Sequence, residues 1–293
     1  MIKNHIPYSQ QDAAGHTQIR LPDFIGVGPP HAGTTWLHWA LLGHACLPRP
    51  EKETHFFDWH YENGLDWYTS RFAHCQDDMP IGEICNYFPA RIARERIATH
   101  IPGCKIICTL RDPVDRTYSA YKFALYNGLT RARFAEALQS TPEITFENNY
   151  AYHLGQWYQA FGKSQVLVVL FEEMRSDPQA YMTKVCAFLG LPTIDVSSLV
   201  LPAKAYNSHS MRPRIPTLAR KGRRAINWLR DRQLQYVVDM LGFMGLWRLC
   251  FDGNFPPMDR VIEAELRKRY LPEVEEIEQI TGLQLNSWKD RPR

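Results

Sequence analysis

Three short stretches of the chain are apolar almost throughout: residues 24–27, 105–110 and 165–171. None shows the one-in-two polar alternation of a strand with one wet face. Runs of this length and composition predict strands buried on both faces. Helix signals lie between and after them. Residues 34–42 follow the loop Gly28-Pro29-Pro30 and stop near Gly43. Asp112-Pro113 supplies an N-cap and a first-turn proline, and the helix it opens is expected to run to about Tyr126. Residues 178–189 read as a helix closed by Gly190 and Pro192. Apolar strands separated by helices predict an α/β fold of three layers, with a central parallel sheet and helices on both faces.

Past residue 200 the strand signal is lost. Pro202, Pro213 and Pro216 mark an irregular link, and residues 217–250 and 259–281 carry helical patterns. The expected organisation is one domain over 1–293. It comprises an N-terminal extension (1–23), a nucleotide-binding α/β core (24–200) and a mostly helical C-terminal portion (201–293).

Composition narrows the function classes. The chain has 293 residues, 45% of them hydrophobic, which is ample for a large core. Its 34 basic and 31 acidic side chains leave a formal charge of +3, so the bulk field does not point to nucleic acid. Anion binding has to come from local sites. The seven cysteines form no Cys-x-x-Cys pair and no close Cys/His quartet. They read as reduced thiols in a cytoplasmic enzyme, without zinc. The first 24 residues carry no signal-peptide pattern, and no run of about 18 uncharged apolar residues predicts a transmembrane segment. Residues 212–232 hold eight Arg or Lys and one acid, and an apolar helical pattern follows to 251. This stretch suits a peripheral membrane contact, a cover for an acceptor pocket, or a packed helix with a solvated basic face.

The loop from Gly28 to Thr35 carries the first candidate chemistry. It sits between a strand and a helix, where backbone N–H groups and the helix dipole attract an anion. Gly33 allows close approach, and Thr34 and Thr35 add hydroxyls. The spacing is P-loop-like, but Thr34 stands where a nucleotide triphosphatase needs lysine. A second candidate site begins at Arg111, at the end of the second predicted strand, with Ser119 two helical turns further on. Together they suit a phosphate gripped by a charged fork and a hydroxyl. Arg111 pairing with Asp112 or Asp115, and Ser119 serving only in packing, is the alternative.

These segments resemble the sulfotransferases that use 3′-phosphoadenosine 5′-phosphosulfate (PAPS). The stretch Ala32-Gly33-Thr34-Thr35-Trp36-Leu37 is similar to their 5′-phosphosulfate loop. Leu110-Arg111-Asp112-Pro113, continued by Arg116, Ser119 and Tyr121, is similar to their 3′-phosphate motif. The stretch Lys52-Glu53-Thr54-His55-Phe56-Phe57-Asp58, with Tyr61, Gly64-Leu65 and Trp67-Tyr68, resembles the heparan sulfate glucosaminyl sulfotransferases, the 3-O group in particular. The resemblance runs over most of residues 24–289, leaving out 1–23 and about 215–258. It implies PAPS as co-substrate, no metal, and sulfuryl transfer to a hydroxyl or amine of a small-molecule or saccharide acceptor. It implies Glu53 as general base, supported by His55 and Asp58. It also implies donor contacts from Ala32, Gly33, Thr34, Thr35, Trp36, Arg111 and Ser119, with Tyr206 beside the nucleotide.

Three positions depart from the family pattern. His31 stands where a Lys or Arg is usual, and is expected to assist the leaving phosphate as donor or general acid. Ile84 replaces a lysine in the segment Gly82-Glu83-Ile84-Cys85-Asn86-Tyr87-Phe88, which is also one residue short. The Lys-Gly-Arg nucleotide loop of the glycan enzymes is not found before the last helix; Lys221-Gly222-Arg223 matches only superficially. Two other readings stay open on these residues: a nucleoside kinase or NTPase, and a nucleotide-binding protein without catalysis. Tight binding of adenosine 3′,5′-bisphosphate without magnesium, with weak binding of ATP, separates the first; the absence of a sulfated product with any acceptor marks the second.

Overall fold

The computed structural model describes residues 20–76, 78–145, 148–202, 211–213 and 251–290, the segments 211–213 and 251–254 by backbone alone. The chain falls into two compact units, Met1–Arg111 with Tyr150–Ala205, and Asp112–Asn149 with Tyr206–Arg293.

The first unit is built on four parallel strands: β1 (Phe24–Val27), β2 (Gly82–Cys85), β3 (Lys105–Leu110) and β4 (Val166–Leu170), in the order β2-β1-β3-β4. The three apolar runs become β1, β3 and β4, and every residue of β1 and β2 is buried. β2 was not legible as a strand, because Glu83 interrupts its apolar pattern. Register sets Val27 beside both Cys85 and Cys108, so β1 and β2 end level and β3 runs two residues further past the same edge of the sheet. Neighbouring strands are about 4.8 Å apart.

The helices of this unit are α1 (Thr34–Leu41), α2 (Gly64–Ser70), α3 (Arg91–His100), α6 (Tyr150–Phe161), α7 (Phe171–Ser176) and α8 (Pro178–Leu189). Trp36, Leu37, Ala40 and Leu41 of α1 and Tyr181, Met182 and Val185 of α8 share one core with Phe24, Ile84 and Ile107. Burying a large apolar side chain contributes about 1.5–3 kcal/mol. Gly190 ends α8 in the left-handed conformation, as its position after the apolar period predicts.

In the second unit lie α4 (Pro113–Asn127), α5 (Phe134–Ser140), α9 (Arg260–Thr281) and α10 (Asn286–Lys289). The Asp112 carboxylate accepts from Val114 N and Asp115 N, the expected cap, and also pairs with Arg267 at 3.2 Å. α9 matches the predicted 259–281 helix closely: Asp259 caps it and Gly282 closes it. One expectation fails here. Strand structure does continue past residue 200, as an antiparallel pair of β5 (Met211–Pro213) and β6 (Phe251–Asn254). Three- and four-residue strands are too short to show a period. The predicted 217–250 helix and the basic stretch to 232 lie almost wholly outside the described residues. Among the described residues no helix is long and apolar enough to cross a membrane.

The cysteines also depart from expectation. Cys46 and Cys75 form a disulfide, with Cα atoms 5.6 Å apart, while Cys85, Cys104, Cys108 and Cys186 are buried thiols. A separation of 29 residues carries no Cys-x-x-Cys signal; the fold brings the two together.

Candidate active site

The glycine loop is shaped by what surrounds it. A Cβ on Gly28 would stand 2.0 Å from Thr109 Oγ1 and 2.9 Å from its carbonyl, so only glycine fits between β1 and β3. Gly33 has φ +93° and caps α1 without a side chain, and no acid stands in the first turn. The first N–H groups of α1 are therefore left by the chain itself for an anion. The buried Thr109 hydroxyl beside Gly28 has no hydrogen-bond partner among the described residues. A bare helix start and an unused buried hydroxyl fit the phosphate end of the expected donor.

Among the described residues only two non-glycine residues have positive φ: His31 at 74° and His55 at 49°. Both were singled out from sequence. Backbone strain of this kind costs on the order of 1–3 kcal/mol and gathers at functional sites.

Arg111, one residue past β3, turns onto the glycine loop. Its Nη1 donates to the His31 carbonyl at 3.0 Å, and its guanidinium lies 4.3 Å from the Phe171 ring centroid. The same ring sits 3.0 Å from where a Cβ of Gly33 would be. Arg111 is thus braced against the loop. Ala32 and Thr34 are buried and Thr35 is partly exposed. Trp36 is 1% exposed and packs edge-on to Tyr181. Ser119 lies in the second turn of α4, partly buried, in the second unit. Arg116 is buried and anchors that unit by donating to Asn148 Oδ1 and to Ile144 O. Tyr206 lies outside the described residues.

The Glu53 segment gathers at the tip of β2. Glu53 accepts from Lys52, lies 3.4 Å from His55 Nε2, and accepts from Asn86 Nδ2 at 3.2 Å. His55 Nδ1 meets Asp58 Oδ2 at 3.1 Å. Burial by itself would raise the Glu53 pKa, but the bonds from His55 and Lys52 outweigh it and hold the carboxyl below its ordinary 4.5. Burial would lower the His55 pKa; the two carboxylates reverse this and push it up to about 9. At neutral pH the cluster is therefore an imidazolium between two carboxylates. Trp59 stacks on His55 with centroids 4.0 Å apart and is 72% exposed, so its other face is open to solvent.

What holds the segment was not read as part of the site. Glu83, fully buried on β2, accepts from Thr54 N at 2.7 Å, Thr54 Oγ1 at 2.6 Å and Tyr68 OH at 2.8 Å. Tyr87 OH accepts from Phe57 N, and Arg96 donates to Phe57 O at 2.9 Å. Phe56 and Phe57 are fully buried. Asn86 was also missed. Its side-chain Nδ2 reaches Glu53 while its buried Oδ1 has no partner among the described residues. The signal for Glu83 was there: a carboxylate inside an apolar strand has to be paired. Of the aromatic side chains beside this segment, Tyr68 and Tyr87 are buried, whereas Trp59 is strongly exposed.

Among the described residues, two groups of side chains have the reach to share a metal ion: Glu53 with His55 and Cys85, and Cys46 with His74 and Cys75. In the first, Glu53 and His55 are already paired; in the second, the sulfurs are bonded to each other.

A strand–glycine loop–helix, an arginine just past the next strand and a loop carboxylate tied to Asn86, the residue after the strand on the other side, lie along one sheet edge. The family model of the sulfotransferase domain matches residues 21–202. The chain belongs to the sulfotransferase domain family. Within curated proteins this sulfotransferase domain is 33% identical over 195 residues to the bifunctional heparan sulfate N-deacetylase/N-sulfotransferase 4 of Mus musculus, covering 58% of the chain and 22% of that protein. It is 31% identical over 215 residues to the human N-deacetylase/N-sulfotransferase 3, covering 65% of the chain and 24% of the relative. The matches thus span about a quarter of those relatives' length or less. Among solved structures, a sulfotransferase from Alicyclobacillus acidocaldarius shares the fold, with a TM-score of 0.67 and 21% identity, covering 93% of this chain and all of that one.

Proposed function

We propose that the chain transfers the sulfuryl group of PAPS to an amine or hydroxyl of a saccharide-like acceptor. The observation that carries this is the row of strand tips. β2, β1 and β3 end at one edge of the sheet, and Glu53, the glycine loop and Arg111 stand at those ends. In open α/β sheets this edge is where ligands bind.

The geometry supports the following roles. The N–H groups at the start of α1, with Thr34 and Thr35, hold the 5′-phosphosulfate. Arg111, braced by the His31 carbonyl and Phe171, holds the 3′-phosphate. His31 donates a hydrogen bond toward the bridging oxygen on the phosphate side, where charge develops as the S–O bond breaks. Glu53, kept ionised, takes the proton of the attacking nitrogen or oxygen. His55 fixes its orientation and is itself fixed by Asp58. The orphan Asn86 Oδ1 offers a second acceptor for an N–H or O–H of the incoming group. The open face of Trp59 suits the apolar face of a sugar ring, and the likeness to proteins named heparan sulfate N-deacetylase/N-sulfotransferase supports an amine-bearing saccharide.

Calorimetry with adenosine 3′,5′-bisphosphate, without magnesium, tests the donor site; incubation of PAPS with amino- and hydroxy-sugars, followed by mass spectrometry for one added sulfonate, tests the transfer. Tight binding and a sulfonated sugar are expected. Preference for ATP with magnesium would overturn the reading in favour of a kinase.

A further inference from the structure

The disulfide between Cys46 and Cys75 closes a covalent ring that contains Glu53, His55, Asp58, Trp59 and all of α2. The two ends of the ring differ. Cys46 is built into the sheet edge: its N–H donates to Pro80 O at 2.8 Å, its carbonyl accepts from Gly82 N at 2.9 Å, and it is 4% exposed. Cys75 is partly exposed, in the turn after α2. His74, itself exposed, brings Nε2 to 3.6 Å from Cys46 Sγ. Arg49 N donates to Arg71 O at 3.0 Å, so the ring is also latched by one backbone bond near its neck.

The other thiols are poor candidates for the same chemistry. Cys85, Cys104, Cys108 and Cys186 are buried, and burial pushes each thiol above its ordinary value. A thiol that is neither accessible nor ionised exchanges slowly. Among the described residues, accessible sulfur therefore lies at the ring's neck.

We propose that Cys46–Cys75 is a reversible thiol–disulfide exchange site for small-molecule thiols, and that its state sets how firmly the base-bearing segment is held. A small thiolate attacks the accessible Cys75 Sγ. The S–S bond breaks, and its electron pair leaves on Cys46 Sγ, which takes a proton from water. A mixed disulfide remains on Cys75. A second thiolate attacks the small-molecule sulfur of that mixed disulfide, forms the small disulfide, and releases the Cys75 thiolate. The protein gains two electrons and the two small thiols lose them. The reverse sequence, with a small disulfide as oxidant, closes the ring.

The effect is specific to one half of the transfer site. The glycine loop and Arg111 lie outside the ring, whereas Glu53, His55 and Asp58 lie inside it. Opening the ring is expected to lower turnover several-fold and leave affinity for adenosine 3′,5′-bisphosphate within about twofold. The consequence for turnover rests on the transfer reading; the exchange and the loosening do not.

The test uses the whole chain equilibrated over a series of reduced-to-oxidised glutathione ratios, followed by rapid alkylation and peptide mass mapping. Cys46 and Cys75 should switch together while Cys85, Cys104, Cys108 and Cys186 keep one state. Amide hydrogen exchange over residues 51–70 should speed up in the reduced chain, whether or not any acceptor is known. The double variant C46S/C75S should match the reduced chain and ignore glutathione. If that variant fails to fold, reduced and alkylated wild type provides the same comparison. Unchanged exchange over 51–70 on reduction, a glutathione response that persists in C46S/C75S, or a reduced chain purified with one zinc per Cys46–His74–Cys75 would each overturn the proposal.

Discussion

Glu53 and His55 titrate in opposite senses, and both directions have consequences. Glu53 is held below 4.5 in the folded chain, so the stability it brings is present above pH 4.5 and lost as pH falls through its lowered value. His55 is raised from 6.5 to about 9, so its contribution is complete below pH 6.5 and lost as pH rises through about 9. Activity should therefore show a plateau that ends on the alkaline side near pH 9, and E53Q should flatten the acid limb. E53Q is expected to lower turnover by about 10²–10⁴ while leaving adenosine 3′,5′-bisphosphate binding intact. Stopped-time sulfonation assays and calorimetry on the same preparation check both. H31A should lose turnover more than donor affinity, because the side chain is assigned to charge that develops only in the transition state. Equal losses in both would reassign His31 to ground-state binding. R111A removes a charge-assisted contact worth about 1.5–3 kcal/mol, a loss of roughly 10–100-fold in bisphosphate affinity.

At the scale of the element, the loop between α1 and α2 is positioned by strand β2. Glu83 accepts three hydrogen bonds from Thr54 and Tyr68 with no exposure to water, and burial keeps its pKa above the ordinary value despite them. Removing the carboxyl in E83A strands Thr54 and Tyr68, and is expected to cost about 3–5 kcal/mol of stability. E83Q retains an acceptor for Thr54 and should recover most of that loss in chemical denaturation. The glycine loop depends on β3 in the same way. G28A forces a methyl group onto Thr109 and its backbone, and should cost about 1–3 kcal/mol and weaken donor binding. These positions were legible only in part. The apolar runs of β1, β3 and β4 and the Asp112 and Asp259 caps announce themselves locally, since strand burial and capping are set by neighbours in sequence. β2 and its carboxylate do not, because an acid in a strand makes sense only once Thr54 and Tyr68 are beside it.

For the whole molecule, the sheet order does what no segment does alone. Glu53 is 58 residues from Arg111, yet β2 and β3 flank β1 and bring their tips to the same edge. The disulfide adds a second long-range constraint. Closing a loop of 29 residues stabilises a fold by about 3–4 kcal/mol through the entropy of the unfolded chain. The melting temperature should therefore fall in reductant by several degrees, and C46S/C75S should show no such fall.

Local chemistry along the chain determined the buried strands, the capped helices, the glycine loop and the resemblance that singled out Glu53, His55 and Asp58, because each rests on neighbours within about ten residues. Tertiary structure alone decided the rest: the bracing of Arg111 on the His31 carbonyl, the burial of Trp36 against Tyr181, the placing of Glu83 under the Glu53 segment, and the union of Cys46 with Cys75. Those contacts join residues 29 to 80 positions apart, or bury a side chain against distant elements, and a linear pattern does not encode distance in space.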